Sequence, residues 1–148
     1  MTTKISAWDY SLNLSSPDGQ ITAVIDDAHE FGQGSPTTGT LVLSNGLSFE
    51  GCNPSVAWSD DSKFLAVPQW RRTQYQRLLV ISIGEKSVGY ARERFSLLEL
   101  HSFSDGKIKG IDSPAYKPRE IEVDLSDVRW EGAETTFWER VVAFIGFE

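Results

Sequence analysis

Asp26, Asp27, His29 and Glu30 form the densest group in this 148-residue chain that could hold a cation or move a proton. Their spacing matches neither a zinc site, which needs clustered His and Cys, nor the alternating oxygen ligands of a calcium loop. No metal and no cofactor are therefore assigned. His29 and His101 are the only histidines. Ser-His-Asp or Cys-His chemistry would require one of them to meet a nucleophile across the fold, and the chain carries no nucleophile elbow, phosphate-binding loop or paired catalytic motif. Gly32-Gln33-Gly34 lacks the strand-to-helix setting of a nucleotide site, and Thr37-Thr38-Gly39 reads as a turn. Cys52, the single cysteine, can form no internal disulfide and reads as a small core residue in a reducing compartment. The chemistry available is thus recognition, and no catalytic residue is assigned.

Net charge is −7 at neutral pH, which opposes nucleic acid as a general partner because phosphate binding needs a basic face. The charge is unevenly spread. Residues 1–62 sum to −7 and residues 112–148 to −5, whereas residues 63–94 sum to +5. The basic stretch begins at Trp70-Arg71-Arg72 and continues through Tyr75 and Arg77, a mixture that single-strand binders use but that in an acidic protein fits a salt-bridged surface or a protein interface better. Hydrophobic residues make up 40% of the chain, and no apolar run reaches the roughly 18 residues of a membrane span. The first residues lack the apolar core of a signal peptide, so the expected location is the cytoplasm, with no membrane partner.

The elements that would position these residues follow a repeat. Ser16-Pro17-Asp18-Gly19 is echoed by Trp58-Ser59-Asp60-Asp61-Ser62 and by Phe103-Ser104-Asp105-Gly106, at spacings of 43 and 44 residues from Asp18 through Asp61 to Asp105. An apolar comb follows each turn: Ile21, Ala23, Val24, then Phe64, Ala66, Val67, then Ile108, Gly110, Ile111. Strands are expected over 5–14 and 20–25, and a hairpin around Asn45-Gly46 with a type I′ turn. Leu78 to Ile83 is a continuous apolar run, consistent with a central strand buried on both faces, and residues 121–125 alternate as a strand with one wet face. Pro68 should weaken its strand or place it at a sheet edge.

What varies after each turn is the connection. Residues 26–39 read as a long acidic loop, 68–77 as a basic and aromatic one, and 112–118 as a Pro-bounded one. At the C-terminus the repeat asks for a strand near residues 141–147. Phe137, Trp138, Val141, Val142 and Ile145 instead share one side of a helix, and Thr136 with Glu139 matches a capping box, so a short helix is expected.

Aligned in this way, the units, and Val56-Ala57-Trp58-Ser59-Asp60-Asp61-Ser62-Lys63-Phe64-Leu65-Ala66-Val67 most closely, resemble β-propeller blades of the WD40-like and TolB-like kind. Three units are too few to close a ring. The expected fold is one mainly β domain over residues 1–148, of antiparallel meanders in three blade-like repeats, forming an open sheet or sandwich. Pairing of the three units with three from a second chain, a homo-oligomer, is an alternative.

The small acidic profile without catalytic motifs is also similar to immunity proteins of bacterial contact-dependent and polymorphic toxin systems. That resemblance implies a non-catalytic, cytoplasmic protein-binding function that neutralises a basic toxin domain, such as a nuclease, by covering its active site. Acidic side chains would steer association and aromatic side chains would anchor it. The expected partner contacts are Asp26, Asp27, Glu30, Asp60, Asp61 and Trp70. The alternative is a small enzyme or a ligand- or metal-binding protein that uses the 26–39 loop.

Overall fold

The computed structural model describes residues 5–131, and among these the chain is built from thirteen strands and one 3-10 turn, Leu125–Asp127. The expected C-terminal helix, and the strand that competes with it, fall on residues 132–148, outside the described residues. The first unit holds β1 (Leu12–Ser15), β2 (Thr22–Ile25), the two-residue β3 (His29–Glu30), β4 (Thr37–Leu43) and β5 (Ser48–Cys52). The second holds β6 (Ala57–Trp58), β7 (Phe64–Arg71), β8 (Tyr75–Ser82) and β9 (Ser87–Phe95). The third holds β10 (Leu98–Ser104), β11 (Lys107–Asp112) and β12 (Arg119–Asp124), after which β13 (Arg129–Trp130) returns to pair with β9.

All pairings are antiparallel, as expected. The nine strands of the first two units join through a single pair, Cys52 with Gln69, and with β13 make one ten-stranded sheet, while β10, β11 and β12 form a separate three-stranded sheet. One core lies between units one and two, with Leu12, Ile25, Leu41 and Phe49 facing Trp58, Leu65, Leu79 and Ile81. A second lies between units two and three, with Ala66, Leu78, Val80 and Phe95 facing Leu98, Phe103, Ile108 and Ile121. Consecutive residues of β7 and β8 therefore enter opposite cores, which is why Leu78–Ile81 reads as an unbroken apolar run.

The turns that mark the repeat differ in chemistry. In the first, the Ser16 hydroxyl donates to Asp18 Oδ1 at 2.6 Å and accepts from the Ile21 N–H, while Asp18 Oδ1 also accepts from the Gln20 N–H. In the second, forty-three positions on, Ser59, Asp61, Lys63 and Phe64 make the same three bonds, the first again at 2.6 Å. Gly19 and Ser62 occupy the same left-handed position, at φ 73° and 65°. The third turn departs from this pattern. Asp105 and Gly106 both have positive φ and form a tight two-residue hairpin turn between Ser104 and Lys107.

Several expectations need correction. Residues 68–77 are not a loop: β7 and β8 pair from Phe64–Ser82 out to Arg71–Tyr75 and turn at Arg72-Thr73. Pro68 lies within β7, away from its ends. Its carbonyl accepts from the Asn53 N–H, so its missing N–H points to the same side, where β6 has ended, and no ladder bond to β8 is lost. The β4–β5 hairpin forms as expected, but only Gly46 has positive φ and its N–H reaches Leu43 O, giving a longer turn than type I′. Residues before Leu12 do not extend the first strand; they pack across the β3–β4 hairpin.

Buried side chains join unit three to unit two. Asn53 Nδ2 donates to Leu98 O at 2.9 Å, Gln76 Oε1 accepts from the Leu98 N–H at 2.6 Å, and Ser55 Oγ accepts from the Leu100 N–H at 2.9 Å. The backbone edge of β10 is thus satisfied by side chains, which seals it against further strand pairing.

Candidate functional site

The acidic segment 26–39 is a clasped hairpin, in contrast to the open loop expected. Its core is the pairing of His29 with Thr38 and Glu30 with Thr37. Thr37 is buried and donates its N–H to Ala7 O and its hydroxyl to Asp9 O. Trp8 Nε1 reaches Gly34 O at 3.2 Å, and the Ser35 hydroxyl accepts from the N–H groups of Phe31 and Gly32. At the base, Asp27 Oδ1 accepts from the Thr40 N–H at 2.7 Å, and that bond holds the Asp27 carboxyl below its ordinary range. Gly39 is required beside it, since a Cβ there would come within 2.6 Å of Ile25 Cγ2 and 2.8 Å of Asp27 Oδ1.

What the hairpin offers to solvent is a mixed carboxylate and aromatic surface. Asp26 and Glu30 are exposed. The Tyr10 hydroxyl donates to Glu30 Oε1, and this bond raises the tyrosine pKa above its ordinary value while leaving the ring 58% exposed. Glu30 Oε2 also accepts from the Gly34 N–H, so the carboxylate is fixed from two sides. Phe31 is 40% exposed and meets the Trp70 ring edge to face, with centroids 5.0 Å apart. That contact joins the insert of unit one to the end of β7 in unit two.

The six expected contact residues are therefore not one surface. Asp26, Asp27, Glu30 and Trp70 gather at the end of the strands where Leu12 pairs with Ile25 and Arg71 with Tyr75. Asp60 and Asp61 lie at the opposite end, in the turn leading to Phe64. Asp61 is occupied within that turn, where the Ser59 hydroxyl and the Lys63 N–H lower its pKa; Asp60 bonds Phe103 O through its N–H. Asp27 and Asp61 thus have structural duties, Asp26 is exposed, and Glu30 is exposed with its oxygens held by Tyr10 and the Gly34 N–H.

Sequence reasoning missed Tyr10 and Phe31. Phe31 carried a signal, as an aromatic side chain placed between acids and a run of Gly, Ser and Pro, where no core strand could bury it. Tyr10 carried none, because its place beside Glu30 depends on a fold contact 20 residues away in sequence. The His29 ring contacts its own hairpin, Nδ1 lying 3.0 Å from Asp27 O, and among the described residues no three His, Cys, Asp or Glu side chains are grouped to hold a metal ion. No helix of the described residues is long and apolar enough to cross a membrane.

No known protein family, curated protein or solved structure matches the chain.

Proposed function

We propose that this protein is a non-catalytic protein-binding module, and most concretely a cytoplasmic immunity protein that covers a basic toxin domain such as a nuclease. The observation that carries the reading is the clasped 26–39 hairpin, whose exposed Asp26 and Glu30 stand beside the exposed rings of Tyr10 and Phe31, with Trp70 beneath. A surface held by this many hydrogen bonds loses little conformational freedom when a partner docks. Aromatic rings supply contact area, while carboxylates and a net charge of −7 speed encounter with a cationic partner and disfavour anionic ones.

The partner contacts of this reading are Asp26 and Glu30 with Tyr10, Phe31 and Trp70. The test is affinity purification from the native host with the intact chain and with Asp26→Lys/Glu30→Lys, followed by measurement of salt dependence on the isolated complex. A basic protein retained by the intact chain and released by the double variant supports the reading. Equal retention by both removes it.

A further inference from the structure

Between β9 and β12 lies a groove of about 440 Å³ whose walls come from units two and three. Its apolar lining is Ala91, Val123 and Val128, all buried members of the second core. The strand edges along it are open. β12 pairs with β11 alone, so its outer edge carries main-chain N–H and C=O groups that no strand of the described residues receives. On the facing side, Arg77 pairs with Arg94 and Leu79 with Tyr90, so Leu78 alone stands opposite Ala91, Arg92 and Glu93, and the ladder of β9 is interrupted there. β13 pairs with β9 only at Gly89 and Tyr90.

The charge left over along this groove is positive. Arg92 and Arg129 both line it and are exposed, and among the described residues neither enters an ion pair. The carboxylates beside them are mostly engaged. Glu93 is held by Arg119 at 2.8 Å, and Glu122 has Lys107 at 3.7 Å and Lys109 at 3.8 Å, which leaves Asp127. Arg129 is firmly placed, because a Cβ on Gly89 would come within 2.7 Å of Val128 Cγ1 and 2.9 Å of Arg129 O, a close approach that seats β13 on β9. Two guanidinium forks against one free carboxylate call for an anionic group from outside, and a carboxylate matches such a fork through two parallel N–H bonds. A second copy of β12 fits poorly: antiparallel pairing centred on Glu122 sets Glu122 against Glu122 and Glu120 against Asp124, like charges on facing positions.

We infer that this groove takes an extended peptide of a partner protein, added as a strand to the edge of β12, with carboxylate side chains at alternate positions directed to Arg92 and Arg129. Main-chain bonds to β12 supply affinity, and the two arginines select acidic side chains, which in a strand fall on one face when they are two residues apart. The groove shares no residue with the acidic hairpin surface and works independently of it.

The experiment is titration of the intact, isotope-labelled chain with acetyl-Thr-Glu-Thr-Glu-Thr-amide, read from backbone amide shifts by nuclear magnetic resonance in 0.15 M chloride, about physiological ionic strength. Saturable shifts at residues 91–93 and 120–124 are expected. Arg129→Met should weaken binding by about tenfold or more, since charge-assisted bonds are the stronger kind, while Lys63→Met, in the turn of unit two, leaves it unchanged. If Arg129→Met does not fold by circular dichroism, Arg92→Met, also at an exposed position, reads the same loss. Two control peptides should bind about tenfold or more weakly: one with Lys in place of both Glu, and acetyl-Thr-Glu-Glu-Thr-Thr-amide, which has the same charge but places its carboxylates on opposite faces of a strand. Absence of saturable shifts with the first peptide overturns the inference, as does equal binding of either control or binding that survives both arginine substitutions. Shifts at the same amides that grow with protein concentration in the absence of peptide assign the edge to a second copy and overturn it too.

Discussion

The Asp18 N–H donates to the Ser62 hydroxyl at 2.9 Å, a bond spanning 44 residues that joins two turns of the same internal chemistry. The second turn is joined onward in the same direction, because the Asp60 N–H donates to Phe103 O at 3.0 Å and Trp58 Nε1 reaches back to Leu14 O at 3.1 Å. The sequence repeat is therefore also the seam along which the three units meet.

Ser59→Ala removes the donor to Asp61 and leaves the Phe64 N–H without its acceptor, and Ser16→Ala does the same in the first turn. Each should lower unfolding free energy in urea by about 1–2 kcal/mol. Ser62→Ala should cost about 1 kcal/mol, and Ser62→Gly less, because relief of its positive φ offsets the lost bond. Unchanged urea midpoints for both Ser16→Ala and Ser59→Ala would show that the turns do not hold the fold.

Asn53 is fully buried and bonds the backbone of three segments: its N–H to Pro68 O, its amide to Leu98 O, and its Oδ1 to the Ser55 N–H. Asn53→Ala should destabilise by about 2–4 kcal/mol, with strong coupling to Gln76→Ala in a double-mutant cycle, since both serve Leu98. Simple additivity of the two would contradict a shared network.

Most of the architecture can be read directly from the chain, for reasons these residues make plain. Strand periodicity and turn chemistry are local, so the Ser-Asp turns, the doubly buried Leu78–Ile81 run and the alternation at Ile121 and Val123 declare themselves. Long-range satisfaction does not. Pro68 looks like a strand breaker until Asn53 is seen facing it, and Trp70–Arg77 looks like a polar loop because its rings and guanidinium groups are matched by Phe31, Tyr90 and Arg94, which lie outside the segment. In the third unit, Leu98, Leu100 and Phe103 all enter the second core because a bulge between Leu100 and Ser102 shifts the phase of β10, opposite a Gly110 whose Cβ would meet the Glu99 carbonyl. The acidic segment was legible as a surface but not as a rigid one, since its clasp comes from Trp8, Tyr10 and the carbonyls of Ala7 and Asp9.

Burial pushes the Cys52 thiol pKa up to about 12. Alkylation by iodoacetamide at pH 8 should therefore be negligible in the folded protein and appear in step with unfolding in urea. Rapid labelling without denaturant would place the thiol outside the core.

Asp18, Asp27, Asp61 and Asp124 all have pKa values below the ordinary 3.8, Asp124 at about 2 because the Ser126 N–H and hydroxyl and then Lys107 favour its charged form. A carboxyl that is more acidic folded than unfolded stabilises fully above its unfolded pKa and loses that contribution as pH falls through the folded value. Thermal stability should therefore decline between about pH 4 and pH 2, and Asp124→Asn should flatten that decline. An identical pH profile for the variant would rule out Asp124 as a contributor.

The claim that the 26–39 hairpin is a docking surface for a basic protein is tested most directly by its position dependence. Once the retained partner is purified, affinity is measured by surface plasmon resonance for the intact chain, Asp26→Lys/Glu30→Lys, and Asp60→Lys at the far end of the strands. The expected result is a loss of about a hundredfold or more for the hairpin variant, chiefly at low salt, with Asp60→Lys within a few-fold of the intact chain. Equal affinity for all three chains, or a loss confined to Asp60→Lys, would contradict it.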